Sequence, residues 1–490
     1  MHRADVSLTG EVSAGLAQTG ALILPAGPPA LGDVSCTLTK LKKERDTIMK
    51  LNRTAVAVAL AMAGGSALGQ QAAVPVTAES SIQIYGHLDL SIDTLTKGIA
   101  GKTNAGGATA TGKLGYQDDI SSNLSYVGIR GSRELVPGGL RGVFQFETQI
   151  DVSATPGPSV SSSSSDSSVK GALVSRNSFL GIAGGWGAFK LGKTDAPYKL
   201  STARMDPFSA TIGDYNSIMG NTGGDNRAEF DTRLSHAAWY ESPNMGGFRV
   251  NALYSPGQNR SSDNSMVASG EPNCTGGNSP GAVPSIPGTC TDGSFGNAYS
   301  IAGIYEAGPL YLIAAYEKHK DVNRTGDEAP PFPAAGAVGV KDENAFKAGI
   351  QYRLPTNTTL NFIVERMTRN APDPNANERQ RSGFWLAATQ KVSANDDVNI
   401  GWAHAGKTPG DPGVGSVDNK ANMLALGYKH HFNQQANWYA VYARQDNKDG
   451  AHYDLGASGH GITTDCHDAA GNCFPGGKIQ GLSVGMQYNF

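Results

Sequence analysis

Charged residues and long apolar runs are both scarce in this chain of 490 residues. Charged residues make up 17% of the sequence and hydrophobic residues 39%, and the mean hydropathy is -0.30. A soluble domain averages about 25% charged residues, and a membrane-spanning helix needs about 20 consecutive apolar residues. No window of this sequence supplies such a run, so the composition excludes a helical membrane protein. The net charge of -3 gives no sign of a nucleic-acid partner either.

Residues 49–69 have the layout of an export signal. Met49–Arg53 is a charged start, Thr54–Ala63 is apolar, and Gly64–Gly69 is rich in small residues. We therefore expect residues 1–48 to be a non-native extension from a misplaced start site, 49–69 to be a signal peptide, and 70–490 to be the mature domain. A later cleavage after Ala78 and a buried Ala-rich helix are the alternatives.

Cysteine is rare, with five residues, one of which (Cys36) precedes the expected leader. The other four form two close pairs in stretches rich in Gly, Pro and Asn: Cys274 with Cys290, and Cys466 with Cys473. An even number in an exported protein favours two loop disulfides. The alternative is a metal site formed by Cys466, His467 and Cys473, although no second histidine lies nearby at ligand spacing.

From Ser81 onward, apolar and polar residues alternate with the period of a β-strand. In Ser81–Leu90, Ile82 and Ile84 share one face, and Tyr85 and His87 lie on the other. Reading the chain in this way gives sixteen segments. The segments are 81–94, 122–135, 140–152, 174–184, 187–193, 232–242, 248–257, 297–308, 309–320, 344–354, 358–369, 382–392, 396–406, 421–432, 434–445 and 477–490.

The connections between these segments alternate between long and short. A transmembrane barrel has this layout, with short periplasmic turns and long outer loops, and its sheet must close because lipid cannot satisfy an open strand edge. Phe490 ends the last apolar strand, which we expect to close the barrel against the first. Ten aromatic residues are predicted to form interfacial girdles, with ordinary sheet packing as the alternative: Tyr240, Tyr254, Tyr305, Tyr316, Tyr352, Trp385, Trp438, Tyr439, Tyr442 and Tyr488.

Several motifs resemble the general trimeric porins of Gram-negative outer membranes, particularly those of β-proteobacteria. They are Ile84–Gly86, Tyr126–Leu135, Gly139–Glu147, Ser175–Gly181, Trp239–Pro243 and Gln487–Phe490. The resemblance implies an all-β fold, a 16-stranded antiparallel transmembrane β-barrel with an inward-folded third long loop, here about 194–231. It also implies an outer-membrane location and a homotrimer in contact with lipid and lipopolysaccharide. Tyr488 and Phe490 resemble the family's signal for the barrel-assembly machinery.

The resemblance also implies a constriction in which loop acids face wall bases. Asp206 and Asp214 are the loop candidates, with capping inside the loop as the alternative. Arg176 and Arg233 are the wall candidates, with rim salt bridges as the alternative, and His87 is either basic or a neutral polar wall residue. Two further wall positions, Tyr126 and Trp239, hold aromatics where many relatives carry arginine, which predicts a weaker anion preference.

No catalytic or cofactor motif is found in the sequence, so we expect passive diffusion of small hydrophilic solutes and ions rather than an enzyme. A solute-specific channel remains an alternative within the same class. A barrel hydrolase would need Ser235 and His236 to cooperate, yet adjacent strand residues point to opposite faces. A soluble exported binding protein is the third alternative.

Overall fold

A computed structural model describes the following residues: 81–104, 106–153, 176–220, 230–256, 297–322, 341–369, 379–407, 418–455, 464 and 466–490. The expected leader at 49–69 and the extension before it lie outside the described residues, so both stay predictions. No helix in the described part of the chain is long and apolar enough to cross a membrane.

Antiparallel strands make up nearly all of the described structure. Each strand pairs with the next along the chain, and the order returns from the last strand to the first. The strands are β1 Ser81–Thr96, β2 Tyr116–Ser122, β3 Tyr126–Val136, β4 Leu140–Gln149, β5 Ser178–Gly184, β6 Gly187–Asp195, β7 Arg233–Glu241, β8 Phe248–Ser255, β9 Ala298–Ala307, β10 Leu310–Val322, β11 Lys341–Arg353, β12 Thr358–Arg369, β13 Arg379–Lys391, β14 Asp396–Ala405, β15 Ala421–His431, β16 Ala436–Asn447 and β17 Lys478–Asn489.

These seventeen elements are sixteen barrel strands, because β2 and β3 are two halves of one strand. Both halves pair with the same side of β1: Tyr126 lies opposite His87, and Ser122 lies opposite Leu90. Three residues, 123–125, therefore face only two on β1, which is a β-bulge, and Leu124 in the bulge has a φ of 53°. The predicted sixteen-stranded barrel is confirmed, and the first hairpin extends further outward than the sequence indicated.

The C-terminal strand closes the barrel, as predicted from its aromatic end. β17 pairs with β1 from His87–Asn489 to Thr96–Gln480. Beyond this ladder, the Gly86 N–H donates to the Phe490 carbonyl at 3.0 Å and the Phe490 N–H donates to the Gly86 carbonyl at 3.1 Å. The sheet thus closes on itself, which is what a lipid environment requires.

Alternate residues of each strand face opposite surroundings. In β17, Leu482 and Met486 are about half exposed on the outside, whereas Ser483 and Gln487 are fully buried inside. Eight of the ten predicted girdle aromatics lie on this outer face. Trp385 and Tyr439 do not, because they occupy inward positions of β13 and β16 and are 0% and 1% exposed. The girdle prediction is therefore wrong for these two residues.

Candidate functional site

The third long loop folds into the barrel, as expected. Its first turn is a short helix, α1 (Pro197–Thr202), which begins with proline at the position where a missing N–H costs nothing. The Tyr311 hydroxyl donates to the Ser201 carbonyl at 2.8 Å, and the Trp385 Nε1–H donates to the Met205 carbonyl at 3.1 Å. The loop thus lies against the inner wall on the side of β10–β16.

Apolar side chains fill the contact between this loop and that wall. Loop residues Phe208 and Tyr215 lie with their ring centroids 6.2 Å and 5.9 Å from that of Trp385. We call this contact the packed sector. Its buried members from the loop are Met205, Phe208, Ile212, Tyr215, Ile218 and Met219, and those from the wall include Tyr311, Ile313, Ile363, Trp385, Met423, Tyr439 and Val441. This side of the inner face is consequently dry, which the period-two pattern did not reveal.

Buried ion pairs fix the polar atoms of the loop within the packed sector. The Lys347 ammonium pairs with Asp231, donates to the Thr202 hydroxyl at 2.7 Å, and lies 4.0 Å from the Tyr198 ring centroid. Glu365 accepts the Gly220 N–H at 2.9 Å. Since a buried charge is costly unless it is paired and hydrogen-bonded, these contacts hold one geometry of the loop.

The two loop acids predicted for the constriction bond to their own loop. Asp206 accepts the N–H groups of Phe208 at 2.9 Å and Tyr215 at 3.1 Å. Asp214 accepts those of Ala210 at 3.0 Å and Asn216 at 2.9 Å. Burial raises the pKa of Asp206 well above its usual value, and the neighbouring Asp214 carboxylate is the second cause of this rise. The contacts match the capping alternative, while a role of either acid in the constriction remains a prediction.

Arg176 and Arg233 lie together on the opposite side of the lumen. Arg176 Nε pairs with Glu147 at 2.7 Å, and Arg233 Nη2 pairs with Asp195 at 3.1 Å. Lys199 also pairs with Asp195, at 3.3 Å. We call these five residues the charged sector. It holds three cations and two carboxylates, so one positive charge is in excess.

The charged sector reaches solvent, in contrast to the packed sector. The side chains of Arg176, Arg233 and Lys199 are 13%, 18% and 31% exposed, whereas the Lys347 side chain is 1% exposed. Neither Glu147 nor Asp195 was predicted as a site residue. Strand parity could have found Glu147, because β4 places it on the same face as Arg141 and Gln145.

His87 and Tyr126 extend the charged sector along the wall. The Arg176 guanidinium lies 4.6 Å from the Tyr126 ring centroid, and the His87 ring centroid lies 5.7 Å from it. His87 is buried beside Asp89, with its Nε2 3.9 Å from the carboxylate. The structure therefore brings together three of the predicted wall residues, with the Tyr126 ring between Arg176 and His87.

Trp239 belongs to different surroundings from the other predicted wall residues. It is buried on the inner face of β7, its ring centroid lies 5.5 Å from that of Phe179, and its Nε1–H donates to Glu241 at 2.9 Å. Apolar residues of β4, β5 and β8 pack around it. The structure places it inside the barrel, apart from the Arg176 contacts.

One of the two expected disulfides is present. Cys466 and Cys473 are bonded, and a backbone bridge joins His467 to Cys473. Because the bond uses both thiols, neither can act as the thiolate ligand that the alternative metal site required. Cys274 and Cys290 lie outside the described residues, so their disulfide stays a prediction.

The C-terminal aromatics point toward lipid. Tyr488 and Phe490 are 41% and 44% exposed on the outer face, and their ring centroids are 6.1 Å apart. This placement leaves them reachable on the outside of the closing strand. Their recognition by the assembly machinery remains a prediction.

Comparison with known proteins gives the same architecture. A family model described as Gram-negative porin matches residues 55–450. Outer membrane porin protein 32 of Delftia acidovorans is 22% identical over 90% of this chain and all of its own length, and an outer membrane porin of Bordetella pertussis is 22% identical over 74% of this chain and 88% of its own. Among solved structures, an anion-selective porin from Comamonas acidovorans superimposes with a TM-score of 0.58 at 19% identity, covering 84% of this chain and all of that one.

Proposed function

The chain belongs to the Gram-negative porin family and is a multi-pass β-barrel channel of the outer membrane, and we propose that solutes and ions cross it along the charged sector. One observation carries the proposal. The third loop covers the inner wall on one side, whereas Arg176 and Arg233 on the other side keep contact with solvent, as does Lys199 in the first turn of the loop. Diffusion of small hydrophilic solutes therefore follows the wetted wall, past Tyr126.

A mild preference for anions follows from the charge of that wall. The charged sector carries one excess positive charge, and the field of a fixed charge is strong in a narrow passage with low-dielectric walls. The solved porin from Comamonas acidovorans is anion-selective. Here Glu147 and Asp195 partly neutralise the arginines, and aromatic residues stand at Tyr126 and Trp239, so we expect a weaker preference.

Reversal potentials in planar bilayers under a salt gradient test this proposal. Arg176→Glu combined with Arg233→Glu reverses the sign of two wall charges and should shift the reversal potential toward cation preference. The matched control is Arg366→Glu with Arg444→Glu, which makes the same charge change on the outer face of β12 and β16. An unchanged potential in the first variant would contradict the assigned path, and a refolded wild type without stepwise currents would contradict the channel itself.

We also propose that the barrel is a homotrimer in contact with lipopolysaccharide, inserted by the barrel-assembly machinery. The motifs shared with the trimeric porins support the trimer, and the exposed Tyr488 and Phe490 support recognition during assembly. Mass measurement of unheated, detergent-extracted protein tests the trimer. Deletion of Phe490 should reduce the amount of heat-modifiable barrel in the outer membrane.

A further inference from the structure

The last outer loop also enters the barrel, next to the third loop. It follows β16, and its residues Ala451, Tyr453 and Leu455 are each 1% exposed. The Leu455 N–H donates to the Thr464 hydroxyl at 3.0 Å, and that hydroxyl donates back to the Leu455 carbonyl at 2.7 Å. These buried residues, and the two hydrogen bonds between Leu455 and Thr464, form part of the packed interior.

The two inward loops share one apolar cluster. Tyr453 and Leu455 belong to the same group of buried residues as Ile218 and Met219 of the third loop. The last loop therefore covers the outer end of the packed sector.

Arg381 on β13 contacts both loops and the wall. The Nη2 group of its fully buried guanidinium donates to Glu365 at 2.7 Å and to the Ile218 carbonyl at 2.8 Å. The same guanidinium lies 5.7 Å from the centroid of the Tyr453 ring, within the range of a cation–π contact. Glu365 in turn accepts the Gly220 N–H, so the tip of the third loop is held on both sides.

We propose that Arg381 is the shared anchor of the third loop and the last outer loop, so that two loops together set the size limit of the channel. The inference rests on the channel function given above. A buried guanidinium needs its partners in place, because it cannot regain them from water. Loss of either loop contact therefore loosens the other through the same side chain, and Arg381 acts as a positioning residue.

The test uses full-length protein refolded into planar bilayers and into liposomes. Single-channel conductance and liposome swelling in neutral sugars of rising size are measured for Arg381→Met, Tyr453→Ala and the double variant. We expect Arg381→Met to raise both conductance and size limit, by roughly 1.5- to 2-fold in conductance, since release of the loop tip widens the narrow passage. Tyr453→Ala should give a smaller rise, and the double variant should match Arg381→Met alone.

Two controls separate the anchor from general damage. Tyr453→Phe keeps the ring and should behave as the wild type, and Arg366→Met removes a lipid-facing arginine from neighbouring β12. If Arg381→Met fails to assemble, the conductance and size limit of Tyr453→Ala compared with those of Tyr453→Phe still test the shared anchor. Conductance and size limit unchanged in both single variants, or effects that multiply in the double variant, would overturn the shared anchor. A silent wild type would instead overturn the channel.

Discussion

The inner wall of one barrel is built in two ways. In the charged sector, Arg176 and Arg233 are paired but still wetted, at 13% and 18% exposed. In the packed sector, Lys347 and Arg381 are also paired but are 1% and 0% exposed, beneath the loops. Both surfaces come from the same alternation along the strands. What separates them is whether a loop covers the wall, and that is decided by contacts between residues far apart in the chain.

Trp385→Ala should break this contrast most strongly. Trp385 is fully buried between the wall and the third loop, and the fit is tight enough that a Cβ added at Gly401 would lie 2.1 Å from the edge of its ring. Removing a buried tryptophan leaves a cavity, and we expect a loss of about 3–5 kcal/mol in the free energy of unfolding. Equilibrium denaturant unfolding in detergent micelles measures it.

Trp402→Ala is the matched control for that experiment. Trp402 lies on adjacent β14, is 42% exposed on the outer face, and touches no loop residue of the packed sector among the contacts described. Its loss should cost less and leave conductance unchanged, whereas Trp385→Ala should also increase current noise by loosening the third loop. Equal losses in the two variants would mean that the packed sector contributes no more than the lipid-facing surface.

The next largest effect is expected in the packed sector, where the firmness of the third loop should depend on pH. Burial and the adjacent Asp214 carboxylate raise the pKa of Asp206, so the folded loop binds a proton that the unfolded chain releases at lower pH. The stabilisation is fully present below the usual pKa of 3.8 and is lost as pH rises through the raised value. Lys429 interacts electrostatically with Asp206 from the wall.

Open-channel current noise between acidic and neutral pH measures the effect. Noise should increase as pH rises in the wild type, because the ionised Asp206 holds the loop less firmly. Asp206→Asn removes the titrating group and should flatten the pH dependence. Arg176 and Arg233 stay charged throughout this range, since arginine does not titrate there. A pH dependence that persists in the variant would place its origin elsewhere.

Sequence alone predicted the strands and the closure, because both depend on local alternation and on the chain end. It failed for Trp385, whose neighbours Phe384 and Leu386 are also apolar, so the run gives no parity. Tyr439 has the same ambiguity next to Trp438. Where residues on both faces of a strand are apolar, the sequence does not show which of them points inward. Only the folded arrangement of strands and loops shows which face a loop covers.

The site was less predictable than the fold. Family resemblance predicts Arg176 and Arg233 as wall residues, but it does not predict their partners Glu147 and Asp195, which come from other strands, because ion pairing across a barrel depends on register. The buried Arg381 is invisible in a single sequence for a related reason. Its partners Ile218 and Tyr453 lie in two loops far away in the chain, and the inward folding of those loops is a tertiary event.

The smallest effect is expected at the mouth of the barrel, where the disulfide hairpin docks on the first outer loop. Asp468 accepts the Thr111 N–H and hydroxyl, each at 2.9 Å, and Phe474 packs against Ile99 and Leu114. These contacts are independent of Arg381. Replacing Cys466 and Cys473 by serine should therefore leave conductance and barrel unfolding unchanged. It should only speed proteolytic cleavage of the hairpin in liposomes, because loss of the disulfide restores about 2 kcal/mol of chain entropy to this short loop. A rise in conductance would show instead that the hairpin and the buried residues Ala451–Leu455 move together. The last outer loop would then behave as one unit, from the mouth of the barrel to the packed sector.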